Sequence, residues 1–88
     1  MANIVASIKL YPEDIIHNKD EIKKAITASL PENSSIYGID EEPIAFGIIA
    51  LIVHVILPDA AGVLEKAENA LRKVKGISEV ETLLVRRI

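Results

Sequence analysis

The 88-residue sequence contains no cysteine. Disulfide staples, thiolate zinc sites and cysteine nucleophiles are therefore excluded. Aromatic residues are nearly absent too; Tyr11, Tyr37 and Phe46 are all there are. Glycines are few and isolated, at Gly38, Gly47, Gly62 and Gly76. No phosphate-cradling loop can be built from them, so the chain is not expected to bind a nucleotide itself. There is no excess of positive charge: 10 basic residues face 13 acidic ones, a net charge of −3. That balance argues against direct nucleic-acid binding, which needs a basic surface. The longest apolar run, Ile44 to Leu57, is interrupted by Gly47 and His54 and is too short to span a bilayer. The N-terminus lacks the basic-then-apolar order of a signal peptide. These absences predict a cytoplasmic protein with no membrane segment, forming a single domain over residues 1–88.

What is present is Ile, Val, Leu and Ala in two periodicities. Asn3 to Tyr11 alternates as a strand, with Ile4, Ala6, Ile8 and Leu10 on one face. Asn18, followed by Glu21, opens a helix in a near capping-box arrangement. Its apolar stripe is Ile22, Ala25, Ile26 and Leu30, and Pro31 stops it. Ser34 to Glu42 reads as a weaker strand whose polarity suits an edge. Ile48 to Leu57 is apolar at nearly every position and rich in β-branched residues, as a central strand should be. Asp59 is the expected cap of a second helix, with Leu64, Ala67, Leu71 and Val74 facing the core. Glu68 and Arg72 are expected to pair on its surface, and Gly76 to close it. Ile77 to Arg87 is the last strand, with Val80, Thr82 and Leu84 on one face and Glu81, Leu83 and Val85 on the other.

The order β-α-β-β-α-β predicts an α+β fold, the ferredoxin-like sandwich. It has a four-stranded antiparallel sheet, both helices on one face, and the first and third strands central. The other face has no helix to cover it. Apolar residues there would serve a partner or a dimer contact.

Neither histidine has a second ligand at metal spacing, and His54 reads as a half-buried strand residue. No Ser-His-Asp order is credible, and the acidic pairs suit a solvated surface. No cofactor is expected. RNA-recognition modules share this topology, but they stack bases on aromatics of the central strands, where this chain carries Ile, Val, Ala and Leu.

Two segments resemble the elongation factor 1-beta family, in its archaeal form. The first is Ile39-Asp40-Glu41-Glu42-Pro43-Ile44-Ala45-Phe46-Gly47-Ile48, followed by Ala50-Leu51. The second is Val80-Glu81 through Val85-Arg86-Arg87-Ile88, ending in a basic residue and an apolar one. Element order and length match over the whole chain. The resemblance implies the same fold and an exchange activity: helping the GTPase elongation factor 1-alpha release GDP and take up GTP. It further implies that Arg87 reaches toward the GTPase's magnesium site, with Ile88 packed beside it. Eukaryotic members carry Lys at that position, so the contact made by a planar guanidinium can differ. Arg86 should point to the opposite face. Phe46 is the second implied contact, its alternative being a core residue beginning the third strand. Pro43 would shape the junction, and Gly47 would permit close backbone approach. A different reading of the same chain is a ferredoxin-like regulatory or assembly module that binds a small ligand or self-associates through its open sheet face.

Overall fold

The computed structural model describes residues 2–88. The elements run β1 (Asn3–Pro12), α1 (Lys19–Ser29), β2 (Ser35–Pro43), β3 (Ile49–Pro58), α2 (Val63–Arg72) and β4 (Ile77–Arg87). The four strands pair antiparallel in the order β2-β3-β1-β4. The ferredoxin-like arrangement is thus borne out, with β1 and β3 central and the more polar β2 at an edge.

Alternation along the central strands builds the core. Ala6, Ile8 and Leu10 of β1 stand opposite Val55, Val53 and Leu51 of β3, and all six are buried. Ile26 of α1 and Ala67 and Leu71 of α2 close over them. Each of these buried aliphatic side chains larger than alanine contributes about 1.5–3 kcal/mol through loss of water contact. α1 begins as its sequence predicts, with the Asn18 side chain accepting from the Glu21 amide at 3.0 Å. It ends where Leu30, held extended before Pro31, leaves the helical region.

Four local expectations are corrected. Asp59 does not cap α2. The helix starts three residues later behind Gly62, which has a φ of 81° and no side chain to cap with. Glu68 and Arg72 do not pair: Glu68 accepts from Thr82 Oγ1, and Arg72 donates to Asn69 at 2.8 Å. Ala25 stays exposed, so the stripe of α1 is narrower than its periodicity suggests. Finally, β4 does not alternate regularly. Ile8 faces Thr82 but Ser7 faces Leu84, so Leu83 is an extra, bulged residue. Beyond it the faces exchange, and Val85 rather than Leu84 joins the side of Val80 and Thr82.

The helix-free face carries polar ties among apolar residues, which include Val5, Ile52, Ile56 and Leu84. Ser7, Lys9 and Tyr11 of β1 lie there with His54 of β3, Asp40 and Glu42 of β2, and Glu81 of β4. Lys9 bridges to Glu42 at 2.9 Å, and the Tyr11 hydroxyl donates to Glu81 at 2.9 Å. Hydrogen bonding to these carboxylates holds both the Lys9 ammonium and the Tyr11 phenol above their ordinary pKa values. Most of the exposed large hydrophobics lie elsewhere, Ile15, Ile44 and Phe46 at one end of the sheet and Val85 and Ile88 toward the other, whereas Leu84 stands opposite Ser7 on the helix-free face.

Candidate functional site

The five residues singled out in the sequence fall into two groups at opposite ends of β3. Pro43, Phe46 and Gly47 lie at its start, where Pro43 pairs with Ile49. Arg87 and Ile88 lie beside its finish, where β1 runs alongside: Asn3 pairs with Pro58 and Ile4 with Arg87. Nine residue steps at about 3.4 Å each put the groups roughly 30 Å apart. The molecule is 42 Å along its longest axis.

The first group is a tight hairpin tip. The Ile48 amide donates to Ala45 O and the Ile44 amide to Ile48 O, each at 2.9 Å. The two residues between Ala45 and Ile48 both have positive φ, 54° at Phe46 and 78° at Gly47. That sign pattern belongs to a type I′ turn, which normally takes Asn-Gly or Gly-Gly. A phenylalanine in the left-handed region is strained by about 1–2 kcal/mol. Its ring gains nothing in return from the core, being 95% exposed. The expectation of a core phenylalanine is therefore excluded for this conformation. Gly47 has a backbone reason to lack a side chain: its φ of 78° is one that L side chains rarely adopt, whereas a Cβ there would only touch Ile15 Cδ1 at 3.4 Å, an ordinary contact. A groove of about 390 Å³ opens beside Ile15, lined also by Glu13, Ile22 and Lys75.

The second group is the end of β4. The Ile88 amide donates to Asn3 O at 3.1 Å, which holds the chain terminus against β1. Arg87 Nε lies 3.1 Å from Asp59 Oδ2, yet its side chain is 82% exposed. Arg86 stands opposite Val5, on the helix-free face. Arg86 and Arg87 thus point to opposite sides, as expected.

Between the two groups lies an arrangement that the sequence reading missed. His54 Nε2 is 2.8 Å from Asp40 Oδ2, and its Nδ1 is 2.8 Å from Ser7 Oγ. The carboxylate can only accept, so Nε2 carries a proton, and Nδ1 shares a hydrogen bond with the Ser7 hydroxyl. Three strands are linked through one imidazole, with the Tyr37 ring 5.5 Å away. The row is no hydrolase triad. Its ring is reversed, with Nδ1 toward the serine, and Asp40 is exposed where a triad carboxylate is buried. Strand alternation places Ser7 and His54 on one face, but only the β2–β3 register brings Asp40 to them. Among the described residues no group of three or more His, Cys, Asp or Glu could hold a metal ion. No helix there is long and apolar enough to cross a membrane.

Residues 5–88 match the model of the EF-1 guanine nucleotide exchange domain. The chain belongs to this family. Among its relatives are proteins named elongation factor 1-beta from archaea. That of Methanothermobacter thermautotrophicus is 43% identical, the match covering 100% of this chain and 99% of the relative. That of Methanosarcina acetivorans is 44% identical over the full length of both. Solved structures add the fold alone. The ACT domain from the GTP pyrophosphokinase of Chlorobium tepidum superposes with a TM-score of 0.65 at 22% identity, covering 92% of this chain and 99% of that one. The C-terminal domain of MgtC from Mycobacterium tuberculosis gives 0.60 at 16% identity, covering 100% of this chain and 88% of that one.

Proposed function

We propose that this exchange domain promotes GDP release and GTP loading on elongation factor 1-alpha during translation elongation, acting in the cytoplasm and making no covalent bond. The observation that carries this reading is the family match over residues 5–88, together with whole-length archaeal relatives above 40% identity.

The chemistry required is differential binding. A GTPase holds GDP partly through a magnesium ion beside the phosphates. A factor that binds better to the metal-free or nucleotide-free state weakens GDP by the same free energy by which GDP weakens the factor. In this reading Arg87 delivers a permanent cation to that region of the partner, with Ile88 packed next to it. Phe46, presented on the hairpin shaped by Pro43 and Gly47, is a separate apolar anchor. Two contacts about 30 Å apart would orient a rigid sheet across the GTPase, so that anchoring at one end positions the cation at the other.

The test is release of a fluorescent GDP analogue from elongation factor 1-alpha. Adding this protein should accelerate release in a saturable way. Release that stays at the intrinsic rate, at concentrations well above micromolar, would overturn the proposal.

A further inference from the structure

The structure assigns Asp59 the role of a positioning residue for Arg87. This inference rests on the reading of Arg87 as the group that acts on the GTPase. Asp59 was expected to cap α2, but the helix begins beyond it, behind Gly62. Its carboxylate is thereby free of helix duties and turns to the tail of β4 instead, where Oδ2 lies 3.1 Å from Arg87 Nε. The Asp59 side chain is 31% exposed and fixed at its root, since its backbone amide donates to Ala2 O at 3.1 Å. Arg87 sits in register with Ile4, and Ile88 is tied to Asn3 O at 3.1 Å. The backbone on both sides of the ion pair is thus held by the start of β1 and the residue before it.

The atom that Asp59 holds matters. A guanidinium offers Nε and two terminal amino groups in one plane. With Nε engaged, one N–H of the neighbouring terminal group points the same way as Nε–H, while the end-on edge formed by the two terminal amino groups stays open to a carboxylate or phosphate of a partner. The guanidinium is not sequestered, because its side chain remains 82% exposed. An exposed pair of this kind is too weak to lock the side chain in reserve, yet it narrows the orientations of a long, otherwise free arginine. In the release step, once the factor is already bound, bringing the cation to the metal region loses less freedom when the group is already aimed. The contact therefore favours the exchange-competent orientation of Arg87 and does not inhibit it.

Asp59→Asn keeps the shape and removes the charge. It should lower the maximal rate of GDP-analogue release about two- to fivefold, the range an exposed pair supplies. The half-saturating concentration should stay near that of the natural sequence, since the contact surface is untouched. Asp59→Glu should restore most of the rate. In an Arg87→Ala background, Asp59→Asn should have no further effect, which a merely structural role would not produce. If Asp59→Asn exchanges at the full rate or faster while Arg87→Ala is impaired, the positioning role is wrong and the reading of Arg87 stands. An additive loss in the Arg87→Ala background also overturns it. If Arg87→Ala itself exchanges normally, the reading beneath it fails.

Discussion

Replacing Phe46 with glycine separates folding from function, because the residue sits where a side chain is costly to the fold. The left-handed backbone costs a phenylalanine about 1–2 kcal/mol that glycine does not incur. Glycine gives back roughly 0.5–1 kcal/mol through the greater freedom of its unfolded chain. With the ring 95% exposed, no burial is lost. Net stability should therefore stay within about 1 kcal/mol of the natural sequence, or rise slightly, as read by urea denaturation. A core phenylalanine would instead cost about 3–5 kcal/mol on truncation, a fall in Tm of at least about 12 °C for a domain this size. At the GTPase the expectation is opposite. An aromatic anchor covered by a partner loses about 2 kcal/mol or more when removed. Covering roughly 150 Å² of ring surface sets an upper bound near 4 kcal/mol. The half-saturating concentration for GDP-analogue release should then rise about thirtyfold or more. A variant destabilised by several kcal/mol would refute the exposed turn. A variant of unchanged stability and unchanged half-saturation would refute the contact.

Removing Arg87 and Ile88 together should leave the fold intact. It costs one exposed ion pair and one terminal hydrogen bond, about 1–2 kcal/mol together, whereas GDP release should slow about ten- to a hundredfold if one charge-assisted contact is lost; circular dichroism and the exchange assay read the two effects. Glu41 accepts from Lys19 at 2.8 Å and lies 3.9 Å from Lys23, which ties β2 to α1. The Lys19 hydrogen bond, then the charges of Lys19 and Lys23, hold its carboxyl below the ordinary 4.5. A depressed folded-state value means the tie stabilises above 4.5 and is lost as pH falls through the lower folded value; NMR titration should find Glu41 titrating low, and returning toward its ordinary value in Lys19→Ala. His54→Ala leaves the buried Ser7 hydroxyl without its partner and should cost about 1–3 kcal/mol. Adding Ser7→Ala should recover part of that loss in chemical denaturation, with GDP release unchanged throughout.

Most of the fold was legible because its determinants are local. Alternation in β1, the unbroken β-branched run of β3, the Asn18 cap and the stop at Pro31 each act within a few residues. The errors arose where a partner strand or an extra residue decides. Asp59 has the chemistry of a cap, but the chain makes one more turn through Ala60, Ala61 and Gly62 before the helix starts. Thr82 takes Glu68 away from Arg72 because β4 passes beside α2. Asp40 reaches His54 only through the β2–β3 register. The candidate site was legible as residues and not as a place. Nothing in the spacing of Phe46 and Arg87 states that they stand at opposite ends of one strand.

The bulge at Leu83 has a consequence for the two neighbouring arginines. Were Leu83 paired with Ser7 instead of bulged, continued pairing would set Arg86 opposite Ile4 and Arg87 opposite Asn3, turning each to the other side of the sheet. Arg86 would then stand beside Asp59, and Arg87 would overlie the helix-free face. A single supernumerary residue, four positions before Arg87, thus chooses which of two adjacent and chemically identical side chains is delivered to the corner. An insertion or loss elsewhere between Ile77 and Arg86 would act as a swap of cations without altering either arginine.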